Sequence, residues 1–272
     1  MASSLSGSES RSGLPGPSPH PVSLPQFESL DLKARYHSAR CGGDFFDAVA
    51  TDSRVIFLLT DIAGRRPETH AIAVDIQNVF RTRAQELFKD PDANGSEGIA
   101  LLARDINRTL IEAAGAVRYA PAFLGNYNLA LNILTYHYAG HFLAIFHDGH
   151  ETRVLEPGGI PMGLFTHSTY EPAVLAFAPH AKLLLVTEGG TQSRRRSTKI
   201  DDERIRLLLE NSTTDSASEI CEAILRAADD SANRPRPRAL LRPRKQKYRD
   251  DLTAVALVRR GNTPNGAHSP EQ

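Results

Sequence analysis

The alternation of apolar and charged residues near the start of the chain predicts a strand. Leu30, Leu32 and Ala34 alternate with charged residues, the period of a half-buried strand. We predict this strand over 30–40. A second strand is expected from Asp44 to Ala50, and the apolar run from Val55 to Thr60 is typical of a strand buried on both faces.

Four later segments repeat apolar residues at three and four positions, which predicts amphipathic helices. Pro67 opens the first helix, while Ser96 and Asp215 are the N-caps expected for the second and fourth. The predicted helices cover residues 67–88, 99–110, 201–210 and 215–228.

The remaining apolar segments are short and are separated by Gly, Pro and Asp-Gly, as in an antiparallel meander. The predicted strands cover residues 129–135, 142–147, 152–155, 173–178, 182–187 and 252–258. Blocks of strands alternate with pairs of helices, so we predict an α+β fold with helices layered against mainly antiparallel sheets.

Composition sets the limits of the folded domain. The chain has 272 residues, of which 40% are hydrophobic, and its formal net charge is zero. Neither nucleic-acid binding nor membrane insertion is expected, because bulk charge is balanced and no apolar run approaches 18 residues. The Ser/Gly/Pro-rich residues 1–28 and the residues 261–272 are predicted to be disordered tails around a domain at 29–260. Only two cysteines occur, which favours a cytoplasmic location.

A basic segment at 231–249 interrupts this pattern. Eight Arg and Lys residues lie among Pro235, Pro237 and Pro243, and these prolines exclude a helix. We interpret the segment as a solvated insertion. The alternatives are an anion-binding flap or a nucleic-acid contact, although Tyr248 is its single aromatic residue.

Acidic residues stand at the ends of several predicted strands. Residues 58–61 and 185–188 both read as two apolar residues, Thr and an acid, namely Asp61 or Glu188, followed by small residues. Asp44 begins a strand after two glycines, and Asp250 and Asp251 precede the last strand. Carboxylates gathered at one sheet edge would suit hard divalent cations such as Mg²⁺ or Mn²⁺. Each acid alone is also compatible with a turn or with the Mg²⁺ site of a receiver domain.

Six motifs in this order resemble the bacterial PPM-type phosphatases of the SpoIIE group, relatives of protein phosphatase 2C. They cover roughly residues 30–260. The matching segments are Gly42-Gly43-Asp44-Phe45-Phe46-Asp47, Thr60-Asp61-Ile62-Ala63-Gly64, Tyr138-Ala139-Gly140-His141, residues 156–163, residues 187–194 and Asp250-Asp251-Leu252-Thr253.

This resemblance implies a four-layer sandwich, in which two mainly antiparallel sheets are flanked by pairs of antiparallel helices. It also implies two Mn²⁺ or Mg²⁺ ions and a metal-bound water that attacks the phosphorus of a phosphoserine or phosphothreonine. The implied metal ligands are Asp44, Asp61, the backbone carbonyl of Ile62, Glu188, Asp250 and Asp251. Asp44 and Asp61 would be the catalytic pair acting through that water. His141 is interpreted as structural, and the alternatives are that it orients a loop or serves as a proton donor. The expected substrate is a regulatory phosphoprotein such as an anti-sigma-factor antagonist.

Three departures from the family pattern bear on catalysis. Glu188 replaces Asp, Arg65-Arg66-Pro67 replaces Gly-Lys-Gly, and Leu131 to Tyr138 is short for the expected hairpin. Glutamate is one methylene longer than aspartate, and site geometry is exacting. We therefore hypothesise an active phosphatase with activity reduced by Glu188. The alternative is a catalytically degenerate relative that acts as a partner-binding regulatory module.

Overall fold

The fold is built from ten strands and four helices within the part of the chain described here. The computed structural model describes residues 22–37, 43–64, 66–114, 119–140, 142–187, 202–233 and 252–261. The strands are β1 Leu30–His37, β2 Asp44–Ala50, β3 Arg54–Asp61, β4 Ala122–Asn128, β5 Ile133–Ala139, β6 Leu143–His147, β7 Thr152–Val154, β8 Ala173–Ala176, β9 Lys182–Val186 and β10 Leu252–Arg259. The helices are α1 Arg66–Leu87, α2 Gly95–Ala114, α3 Asp202–Glu210 and α4 Ala217–Asn233.

The strands form two five-stranded sheets in which the named strands pair antiparallel. The first sheet has the order β1-β10-β9-β6-β7, and the second has the order β2-β3-β4-β5-β8. The first and last strands of the chain pair along their whole length, from Leu30 opposite Arg259 to His37 opposite Leu252. The predicted α+β class is confirmed.

Three apolar clusters define four layers. One cluster fills the space between the two sheets, a second lies between α1, α2 and the second sheet, and a third lies between α3, α4 and the first sheet. Strand β3 belongs to two of these clusters, because Phe57 and Leu59 face the other sheet while Ile56 and Leu58 face the helices. The continuous apolar run therefore marks a strand buried on both faces, as predicted.

The strand predicted at 129–135 was misplaced. Residues 129–132 form a turn, in which the Asn128 side chain accepts hydrogen bonds from the backbone of Ala130 and Leu131 and Asn132 adopts a positive φ of 54°. Strand β4 precedes this turn and was missed, since Gly and Asn give it low strand propensity. Strands β4 and β5 form a hairpin that pairs from Ala122 opposite Ala139 to Asn128 opposite Ile133, so a hairpin is present before residue 140.

Two predicted helix caps were also wrong. The Asn94 side chain accepts hydrogen bonds from the backbone of Ser96 and Glu97, so Asn94 caps α2. Ser216 accepts a bond from Glu219 at the start of α4. Asp215 instead contacts His180, at 2.7 Å. An N-cap must lie directly before the first helical residue, and each prediction was displaced by one or two residues.

The ends of the domain differ slightly from expectation. Leu24 and Phe27, assigned to the N-terminal tail, pack against the cluster between the sheets. Helix α4 continues to Asn233, so it includes the first three residues of the predicted basic insertion. Residues 1–21, 234–251 and 262–272 lie outside the described part of the chain. Among the described helices, none is long and apolar enough to cross a membrane.

One buried ion pair fixes α1 on the second sheet. The Asp47 side chain is fully buried and accepts two bonds from Arg81, with Nε to Oδ2 at 2.7 Å and Nη2 to Oδ1 at 2.9 Å. This contact raises the pKa of Arg81. Asp47 also accepts a bond from the backbone of Ala48. Because a buried carboxylate needs such partners, α1 is held over the strand that begins at Asp44.

We predict that Arg81→Met destabilises the protein by about 3 kcal/mol, because the Asp47 charge is left buried without its guanidinium partner. Urea denaturation followed by circular dichroism measures the change. Arg206→Met is the matched control, since Arg206 pairs with Glu203 and Glu210 on the surface of α3; its denaturation midpoint should not move. Equal midpoints for both variants would contradict the structural role of the pair.

Candidate metal centre

Asp44 and Asp61 face each other at the end of the second sheet. Asp44 is the first residue of β2, Asp61 is the last residue of β3, and the two are direct partners in the ladder. The Ile62 backbone donates to the Gly43 carbonyl at 2.8 Å. Hydrogen-bonded and non-bonded pairs alternate in an antiparallel ladder, so Asp44 and Asp61 form a non-bonded pair, whose side chains lie closest together.

The backbone of Gly43 and Ile62 completes this corner. A Cβ atom placed on Gly43 would lie 2.4 Å from the Ile62 carbonyl oxygen and 2.6 Å from Asp61 Oδ1. Both oxygens therefore approach the α-carbon of Gly43 from one side, in space that any side chain would occupy. The glycine before Asp44 is thus required for the close approach of the two strand ends.

The other sheet supports Asp44 through two threonines. Thr187 follows β9 and donates its hydroxyl to Asp44 Oδ2 at 2.5 Å. Thr253 in β10 donates its hydroxyl to the same oxygen at 2.6 Å. Both threonines are almost fully buried. Asp44 therefore spans the space between the sheets and is held from both.

The donor set fits one side of a hard-cation site. Two carboxylates and one backbone carbonyl are the oxygen ligands that Mg²⁺ and Mn²⁺ prefer. Like charges on directly opposed residues also repel, and a bound cation offsets this repulsion. The three sequence-predicted ligands Asp44, Asp61 and Ile62 are brought together by the pairing of β2 with β3.

The described residues include part of the predicted ligand set. Glu188, Asp250 and Asp251 lie outside the described residues, as do His141 and Arg65. Among the described residues, no group of three or more His, Cys, Asp and Glu side chains could hold a metal. Of the described residues near the other predicted ligands in sequence, Thr187 and Thr253 donate hydrogen bonds to Asp44.

A loop beside β3 is anchored by a residue that sequence reasoning missed. Asn107 in α2 is buried, accepts a bond from the Gly163 backbone at 2.7 Å and donates to the Phe165 carbonyl at 3.0 Å. Met162 pairs with Ala120, and Pro121 accepts a bond from the Asp61 backbone. In the sequence, the one indication of this role is that Asn107 is a polar residue on the apolar face of the helix predicted at 99–110.

The same loop packs over a buried histidine. Gly159 pairs with Ala139 in a parallel bridge. A Cβ atom on Gly159 would lie 2.8 Å from His137 Cε1. Burial lowers the pKa of His137 and so favours its neutral form. Gly159 therefore allows the loop to pack closely against the His137 ring.

Comparison with known proteins agrees with this arrangement. The family profile described as Stage II sporulation protein E (SpoIIE) matches residues 51–260. A search of curated proteins gives no match. Among solved structures, the RsbU and RsbW domains of Rv1364c from Mycobacterium tuberculosis share 20% identity, with a TM-score of 0.66 over 87% of this chain and 61% of that one.

Two further structures have the same fold. The phosphatase domain with a regulatory fragment of SpoIIE from Bacillus subtilis shares 12% identity, with a TM-score of 0.65 over 86% of this chain and 63% of that one. RsbX, crystallised with magnesium, shares 16% identity, with a TM-score of 0.59 over 87% of this chain and 98% of that one. The chain therefore spans less than two thirds of the first and second of these three structures.

We predict that Gly43→Ala lowers the affinity for Mn²⁺ by at least about tenfold, because the added methyl group forces the two strand ends apart. Isothermal titration calorimetry measures the affinity. Gly158→Ala is the matched control, because a Cβ there meets no atom within 4 Å; its affinity should match that of the unmodified protein. Unchanged binding by Gly43→Ala would contradict the assignment of this corner as a cation site.

Proposed function

The chain belongs to the SpoIIE family of PPM-type, protein phosphatase 2C-like phosphatases, and we propose that it is a metal-dependent protein serine/threonine phosphatase. The observation that carries this proposal is the direct pairing of Asp44 with Asp61 beside the carbonyl of Ile62. The proposed substrate is a phosphorylated regulatory protein, such as an anti-sigma-factor antagonist, and the resemblance to the SpoIIE group supports it.

The residues of this chain would bind and orient, and they provide no covalent nucleophile in the proposal. Asp44, Asp61 and the Ile62 carbonyl would hold the cations on one side, with Glu188, Asp250 and Asp251 proposed for the other. When bound, two divalent cations activate water for in-line attack on phosphorus and neutralise the phosphoryl oxygens. The rigid sheet end fixes the position of the carboxylates before the substrate arrives, and that preorganisation supports catalysis.

A cytoplasmic location is part of the proposal and rests on cysteine chemistry. The chain has two cysteines. Cys221 is a buried free thiol whose single hydrogen can donate to the carbonyl of Ala254, at 3.4 Å, or of Lys33, at 3.6 Å. Burial raises the pKa of its thiol to about 12. A neutral, enclosed thiol is a packing residue rather than a reactive one, and cysteines without disulfides are typical of a reducing compartment.

We expect Asp61→Asn to lower the release of phosphate from a phosphoserine peptide by at least about a hundredfold, because the amide removes one charged metal ligand. The assay uses the purified chain with Mn²⁺ or with EDTA, and p-nitrophenyl phosphate serves as a second substrate. Asp52→Asn is the control, since Asp52 is exposed in the turn between β2 and β3. Full activity in Asp61→Asn would show that the metal assignment is wrong.

We expect Glu188→Asp to raise the turnover number, because the shorter side chain restores the family residue and site geometry is exacting. Parallel measurement of Mn²⁺-dependent turnover in both proteins tests this. If neither protein releases phosphate with Mn²⁺ present, the enzyme proposal fails. A partner-binding regulatory module would then be the better description of the chain.

A further inference from the structure

The Asp44 carboxylate is oriented by the sheet to which it does not belong. Asp44 lies in β2 of the second sheet, whereas Thr253 lies in β10 of the first sheet and Thr187 directly follows β9. Both hydroxyl groups donate to the same oxygen, Asp44 Oδ2, at 2.5 Å from Thr187 and 2.6 Å from Thr253. Such short distances are typical of charge-assisted bonds from a hydroxyl to a carboxylate.

The two threonines also fix each other. The Thr187 backbone donates to the Thr253 carbonyl at 3.0 Å, and the Thr253 backbone donates to the Thr187 hydroxyl at 2.9 Å. The Thr187 hydroxyl therefore accepts one bond and donates one, which sets its rotation. This arrangement fixes the direction in which the Thr187 hydroxyl faces Asp44.

The two hydroxyl donors determine which oxygen of Asp44 can bind a cation. A carboxylate oxygen has about two acceptor positions, and two hydroxyl donors occupy those of Oδ2. The Oδ1 atom of Asp44 is then the oxygen oriented for a cation beside Asp61 and the Ile62 carbonyl. Partners of this kind typically orient a metal ligand and tune its affinity.

We propose that Thr187 and Thr253 are positioning residues. Their hydrogen bonds hold Asp44 Oδ2 and thereby orient Asp44 Oδ1 toward the cation. This inference rests on the proposed function, because it needs the cation site. It adds that the site is complete only when the two sheets are correctly docked, since the donors and the ligand come from opposite sheets.

If Thr187 and Thr253 had only a structural role, their hydroxyl groups would not need the Asp44 carboxylate as acceptor. Thr60 precedes Asp61 as Thr187 precedes Glu188, and its hydroxyl is satisfied by the backbone carbonyl of Pro121 at 2.8 Å. A buried hydroxyl can therefore be accommodated here without a carboxylate. Thr187 and Thr253 use the Asp44 carboxylate instead, and this difference makes Thr60 the matched control.

The test compares Thr253→Val and Thr187→Val with the conservative variants Thr253→Ser and Thr187→Ser. Isothermal titration calorimetry measures the Mn²⁺ affinity, and thermal melting in EDTA measures the folding of each variant. We expect the Val variants to bind Mn²⁺ at least about tenfold more weakly. The Ser variants and Thr60→Val should bind like the unmodified protein, even where the melting temperature falls.

Two outcomes would overturn the inference, and they are distinguishable from each other. If the unmodified protein binds Mn²⁺ and the folded Val variants bind it equally well, the positioning role is wrong while the proposed function stands. If the unmodified protein binds no Mn²⁺, the proposed function fails and the positioning role fails with it.

A Val variant that melts below the assay temperature is replaced by the Thr→Ala variant at the same position. Loss of affinity in that variant, with rescue by Ser, supports the inference, and full affinity overturns it.

Discussion

The candidate site depends on the register between β2 and β3. Side chains alternate between faces along a strand, so a slip of one residue would move Asp44 from the space between the sheets to the helix side. The same slip would move Asp47 away from Arg81 and leave a buried carboxylate without its partner. The ion pair of Asp47 and Arg81 therefore specifies the register that sets Asp44 opposite Asp61.

The second requirement is the docking of the two sheets. Asp44 is separated by 143 residues from Thr187 and by 209 residues from Thr253 along the chain. Contacts of such sequence separation form only when the whole sandwich is assembled, because closing long loops carries an entropic cost. The carboxylate corner is thus a property of the complete fold, and local sequence around Asp44 does not create it alone.

This dependence explains what could be predicted from sequence. The run from Val55 to Thr60 and the helical period of α1 report local burial, and both elements were found. Strand β4 was missed because Gly125 has low strand propensity, yet tertiary packing requires it: a Cβ there would lie 2.4 Å from the Phe57 ring. Asp44 and Asp61 were expected at one sheet edge, but their direct pairing was not predicted. The contacts of the two threonines followed from neither pattern nor motif, because their partner is distant in the sequence.

The two similar segments at 58–61 and 185–188 are not structurally equivalent. Asp61 faces the space between the sheets, as Leu59 does, whereas Thr60 contacts the Pro121 carbonyl. In the second segment it is Thr187 that faces this space, next to Asp44. Opposed carboxylates repel, so placing Asp44 opposite Asp61 carries a cost for the fold. A cation in the proposed site would offset this repulsion, and its chemistry matches the oxygen donors present.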